Sequence, residues 1–148
     1  MKESIPTFVR AVLCGSFAGG APFLLLTVPT AIEGFEYGRD LPGLLWLAFM
    51  PVVIAGGVVA LATLLLGLPL TAWLAHREDE TAMTYSIAGF GLGVLLPIAV
   101  IAALFGDWTI GAILAVPGAI AGTVTATIWG RWREVVAARL GEPAEAAT

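Results

Sequence analysis

The eighteen charged side chains of this chain, seven Lys or Arg and eleven Asp or Glu, are spaced so that four long intervals carry none. The intervals run over 22 residues from Ala11 to Ile32, 35 from Leu41 to Ala75, 26 from Thr81 to Gly106 and 23 from Trp108 to Gly130. A bilayer core about 30 Å thick is crossed by ~20 apolar helical residues, so each interval supplies one crossing and none supplies two. Composition leads the same way. Charged residues make up 12% of the 148-residue chain, against about 25% in a soluble domain, which is too few to coat a small core with a polar surface. The fold expected is an all-α integral membrane protein, a four-transmembrane-helix bundle, with spans at about 11–31, 47–73, 82–105 and 109–130. A short cytoplasmic helix is expected at about 131–140 and a disordered tail at 141–148. Barrel strands would alternate apolar and polar residues, and these intervals do not.

Lys2 and Arg10 before an apolar stretch resemble the start of a signal peptide. The apolar run exceeds the ~7–15 residues of such a segment, and no A-x-A site follows it, so the first span is expected to stay in the mature protein. Lys2, Arg10, Arg77, Arg131, Arg133 and Arg139 would share one side, whereas Arg39 stands alone on the other. By the positive-inside rule both termini are cytoplasmic. Tyr37, Trp46 and Trp108 then fall at outer span ends, and Trp73, Tyr85, Trp129 and Trp132 at inner ends. An Arg-rich, Ala- and Gly-rich vocabulary suggests a bacterial inner-membrane protein.

Small residues at four-residue spacing let helix backbones approach closely. Gly15 and Gly19 have this spacing in span one, with Gly20 and Pro22 behind them, and Gly56 with Gly57 makes a flat patch in span two. Gly89 and Gly93 share a face of span three that Gly91 does not. Gly118, Gly122, Ala126 and Gly130 form the longest stripe, extended by Gly111 and Ala115, with Thr123 and Thr127 placed to hydrogen-bond across it. Pro69 near the inner end of span two frees a carbonyl, and Thr71 or a neighbouring helix is placed to take it up. Gly106 ends one helix and Asp107 caps the next, making spans three and four an antiparallel hairpin.

The polar segments carry weaker signals. An outer loop from about Pro29 to Gly43, its start marked by Thr27, Pro29 and Thr30, holds Glu33, Glu36, Arg39 and Asp40 without metal-ligand spacing. The inner turn His76-Arg77-Glu78-Asp79-Glu80 places cations at one helix end and carboxylates at the next helix start, where both suit the helix dipoles. Gly89-Phe-Gly-Leu-Gly93 lies within an apolar helix with no preceding strand, so it is not a phosphate loop. Past Gly130, Trp132, Val135, Val136 and Leu140 are expected to lie on the membrane surface, with Arg131, Arg133 and Arg139 turned to headgroups.

Residues Pro51–Ala60 and Pro117–Ala126 align without gaps and match at six of ten positions. Both run outside to inside, as two tandem helical hairpins from a duplication would require.

The remaining chemistry is sparse. Cys14 is alone, so thiol–disulfide exchange is excluded. No ionisable group stands in mid-span, and no nucleophile pairs with a base. The reading is a non-catalytic protein with no catalytic, cofactor or metal residues, acting through helix packing in an accessory, assembly or envelope-stability role. Its partners are the lipid bilayer and, through small-residue faces, a second copy or another membrane protein. With seven cations against eleven anions, nucleic acid is not among them. An oligomeric channel or uncoupled carrier is the alternative, supported by the prolines in every span.

Overall fold

A computed structural model describes residues 4–36, 40–77 and 80–141. The expected tail from 142 onward lies outside these residues, as do Tyr37, Gly38, Arg39, Glu78 and Asp79. The helices are α1 (Ser4–Glu36), α2 (Leu41–Ala62), α3 (Leu68–His76), α4 (Ala82–Phe105) and α5 (Thr109–Gly141). A π-helical turn, Thr63–Gly67, joins α2 to α3. Four rods are therefore long and apolar enough to cross a membrane, the second being the α2–π–α3 rod, Leu41–His76.

Packing contacts link the helices in the order α2, α1, α5, α4. The α4–α5 contact is the most extensive; α1 packs against both α2 and α5. Burial follows this order, since the most apolar stretches of α1 and α5 are partly enclosed and those of the other two rods are not. Most of the enclosed apolar positions are alanines, including Ala11, Ala48, Ala115, Ala119 and Ala121, whereas Leu25, Met83, Leu104 and Phe105 face outward. Small residues inside and large apolar residues outside is a distribution suited to hydrocarbon surroundings, where burial of apolar area does not drive helices together but close packing does.

Local sequence explains the element ends. Asp40 accepts a hydrogen bond from the Gly43 N–H at 2.9 Å, and Pro42 fits the first turn, where a missing N–H costs nothing. Thr81 caps α4 by accepting from the Thr84 N–H. Gly106 takes the left-handed conformation at φ 68°, which lets its N–H close on the Ala102 carbonyl at 2.9 Å. Asp107 then accepts from the Thr109 N–H at 2.8 Å, so three residues reverse the chain.

Three expectations are corrected. The outer loop does not begin at Pro29: α1 continues helically to Glu36. Pro22 and Pro29 each remove one hydrogen bond from α1, yet the helix runs on; the Thr27 hydroxyl, which bonds back to the Phe23 carbonyl, also reaches the Ala48 carbonyl and ties this end to α2. Second, Thr71 does not take up the carbonyl freed by Pro69. It donates to Gly67, its ordinary partner one turn below. A π turn immediately precedes Pro69, with the Leu68 N–H reaching back to the Thr63 carbonyl; local π adjustments accompany prolines in apolar helices. Third, no acidic residue occupies the first turn of α4, and Glu80 is used across the bundle, as described below. Residues 131–140 continue α5 without a break.

Candidate functional site

Two features meet at one end of the bundle: a cluster of polar and aromatic side chains, and a slot leading away from it between the helices. The cluster gathers the start of α1, the end of α3, the start of α4 and the last third of α5. Arg133 donates to Glu80 Oε1 from Nε at 2.9 Å and from Nη2 at 2.6 Å. The Tyr85 hydroxyl donates to the same oxygen at 3.1 Å. Glu80 and Arg133 keep only 12% and 24% of their side-chain exposure, so the pair is largely withdrawn from water and its attraction is little screened. Trp129 donates from Nε1 to Thr71 Oγ1 at 3.2 Å, meets Phe8 edge-on and stacks on Trp132. Arg133 is thus turned inward rather than to headgroups, because Glu80 offers it a carboxylate where the membrane surface would offer only water and phosphate.

The expected packing glycines fall on three contacts. Between α4 and α5, a Cβ on Gly89 would strike Ala126 and the Gly122 carbonyl, one on Gly93 the Gly118 carbonyl, and one on Gly118 or Gly122 the carbonyl facing it. Gly130 meets Tyr85 and Ala82, and Gly111 meets Pro97 and Ile98. Between α1 and α5, Gly15 faces Thr125 and Ala121, while Gly19 faces Ala121 and Pro117. Between α1 and α2, Gly56 faces Ser16 more loosely, with 3.3 Å from an added Cβ to its Oγ. Gly57 and Gly91 have open space.

One packing surface escaped sequence reasoning. Helix α5 carries a second stripe, Pro117, Ala121 and Thr125, which meets α1 one position away from the stripe that meets α4. The four-residue spacing was visible there, but the glycines beside it masked it. Across the α4–α5 contact Ser86 and Thr127 share a hydrogen bond of 2.7 Å, whereas Thr123 donates only to the Ala119 carbonyl of its own helix. Thr125 Oγ1 is enclosed without a hydrogen-bond partner.

The slot has a volume of about 140 Å³. Its walls are the α2–π–α3 rod from Val58 to Thr71, α4 from Tyr85 to Pro97, and α5 from Gly118 to Trp129, with Phe8 of α1 at the polar end. Thr63 and Gly67 of the π turn face it. Chemically the cluster is an ion pair with one carboxylate oxygen already serving three donors. Among the described residues no group of three His, Cys, Asp or Glu side chains could hold a metal, and His76 is exposed at the end of α3. No family model matches the chain, and neither a curated protein nor a solved structure is detectably similar to it.

Proposed function

We infer that this is a bacterial inner-membrane protein with both termini cytoplasmic, and that it acts without catalysis, as an accessory, assembly or envelope-stability component that binds other membrane helices. The observation that supports this most is the division between inner and outer helices. The glycine stripe of α5 is consumed within the chain, so it is not the partner surface. The outward faces of α2 and α4 remain, each with large apolar side chains exposed and a glycine over open space, Gly57 and Gly91. A second copy or another membrane protein would pack there. The polar side chains of the cluster serve structure: Glu80 joins α4 to α5, and Thr71 joins α3 to α5.

Pull-down from native membranes in mild detergent tests the reading. The wild-type chain should retain a stable partner or itself as an oligomer, and Gly57→Leu or Gly91→Leu should release it while the purified chain keeps its thermal stability. Reporter fusions after Gly38 and Asp107 should report the outside, and fusions after Asp79 the cytoplasm. His76→Gln should leave any cellular phenotype intact; its loss at normal membrane abundance would revive an enzymatic role.

A channel or uncoupled carrier is the second reading, favoured by Pro22, Pro29, Pro51, Pro97 and Pro117 inside helices. Solute flux into liposomes carrying the purified protein would establish it.

A further inference from the structure

We propose that the slot between the α2–π–α3 rod and the α4–α5 hairpin binds one acyl chain of an anionic bilayer lipid, with the headgroup at the Arg-bearing end. This inference goes beyond the packing role but shares its premise that the chain lies in a membrane.

Shape is the first argument. The α4 wall runs from Tyr85 to Pro97, twelve helical steps or about 18 Å at 1.5 Å per residue. A volume of about 140 Å³ spread along that length is a narrow channel. It is far too thin for a helix, which is about 10–12 Å across with its side chains, and it suits a single extended chain. Lining is the second. Val58, Val59, Ala62, Leu92 and Leu96 present hydrocarbon, and an apolar cavity of comparable size, about 150 Å³, stays dry and takes up apolar molecules. In a bilayer the abundant apolar molecule is the lipid chain.

The third argument is the wall itself. The π turn Thr63–Gly67 borders the slot, and such turns occur frequently at functional sites. The rod packs along α1 and makes no extensive contact with α4, so the bundle is unsealed on the side from which a lipid would enter. The fourth is charge. Arg10, Arg77 and Arg131 are exposed at the end where Phe8, Thr71 and Trp129 border the slot, and basic groups at a membrane surface attract anionic headgroups. Arg133 is already paired with Glu80 and is not counted among them.

Photo-crosslinking in liposomes tests this. Phosphatidylglycerol and phosphatidylcholine, each carrying a diazirine within one acyl chain, would be irradiated with the full chain and the labelled residues mapped by mass spectrometry. Phosphatidylglycerol should label slot residues such as Val59 and Leu92, about fivefold more than phosphatidylcholine. Ala62→Phe and Leu92→Phe fill the slot from opposite walls, so each should cut labelling at the remaining slot positions about tenfold. Labelling of outward residues such as Leu95 should not change. Leu61→Phe, on the exposed face of α2, should leave slot labelling at the wild-type level.

The wild-type pattern decides even where a filled variant does not fold. Labelling confined to outward faces would overturn the site, as would slot labelling indifferent to both substitutions. Equal slot labelling by the two lipids would overturn the anionic assignment. Label on no face at all would show that the chain does not enter the bilayer, and the membrane premise would fall with the site.

Discussion

The two hairpins contain ten-residue stretches that match at six positions and use them differently. In α5, Gly122 lies against the Gly89 carbonyl of α4, backbone on backbone. In α2, the matching Gly56 faces only the Ser16 side chain of α1, where an added Cβ would lie 3.3 Å from Oγ, a tight contact that a small side-chain shift relieves. The α4–α5 hairpin is joined by a three-residue turn and sealed along its length by glycines from both helices. The first hairpin has one close glycine contact, Gly20 against Val52, beside alanine and serine contacts, the Thr27 hydroxyl shared with the Ala48 carbonyl, and then the π turn. The difference teaches that a glycine in an apolar helix acquires meaning from what stands opposite. Gly89 and Gly93 on α4 make Gly122 indispensable to close approach, and α1 presents no glycine to Gly56.

The largest effect should come at Gly122. Gly122→Ile places a branched side chain where the Gly89 carbonyl lies. It should cost more than the ~1–3 kcal/mol usual for overpacking, because backbone cannot rotate aside as a side chain does. Gly56→Ile should cost distinctly less, and Ile120→Leu, at an exposed position, should melt like wild type. Thermal stability and oligomer size in detergent measure all three. Both glycine substitutions raise hydrophobicity, so failed insertion would not account for a loss. Equal losses at Gly56 and Gly122 would erase the distinction between hairpins.

Next in size is the ion pair that ties the base of the second hairpin. Glu80→Gln removes the charge facing Arg133 and should cost about 1.5–3 kcal/mol, the range for hydrogen bonds to charged groups. Partial exposure of the pair holds it toward the lower end. A double-mutant cycle with Arg133→Gln measures the coupling, and additive losses would show that the contact contributes nothing to stability.

A smaller effect of opposite sign is expected at the open glycines. Gly57→Ala and Gly91→Ala meet no neighbour and should stabilise the purified chain by about 0.5–1 kcal/mol through helix propensity. Destabilisation at either would place it in a contact and alter the picture of outward faces.

The smallest expected effect belongs to the turn of the second hairpin. The Thr109 N–H and hydroxyl donate to the Asp107 carboxylate and hold its pKa below the ordinary carboxylate value. Its contribution to stability is therefore complete above that ordinary value and fades as pH falls through the lowered one. Wild type should lose slightly more stability than Asp107→Asn across that acidic interval in paired melts. Identical profiles would show that the cap's charge is immaterial.

Much of the architecture was legible in the chain. Charge spacing delimited four apolar rods, because an ionisable side chain is expelled from hydrocarbon whatever its neighbours. Gly106 and Asp107 announced the tight turn, since left-handed backbone and an N-cap are local requirements. Gly89 and Gly93, but not Gly91, could be assigned to one face from helical period alone. The continuation of α1 past Pro29 was not legible, because the contact that holds this end, Thr27 on the Ala48 carbonyl of α2, is tertiary.

Beyond the α4–α5 hairpin, the tertiary structure alone decided which helices are neighbours. It linked α2 to α5 through α1, gave α5 a second packing stripe through Ala121 and Thr125, and brought Glu80 to Arg133 across 53 residues. It also opened the slot beside the π turn. The physical reason lies in the solvent. In water, hydrophobicity distinguishes the face that packs from the face that does not. In hydrocarbon an apolar side chain is equally at home against lipid or against another helix. Hydropathy therefore determines that a segment is able to cross, and only the shape of the opposing surface determines which side of it is covered.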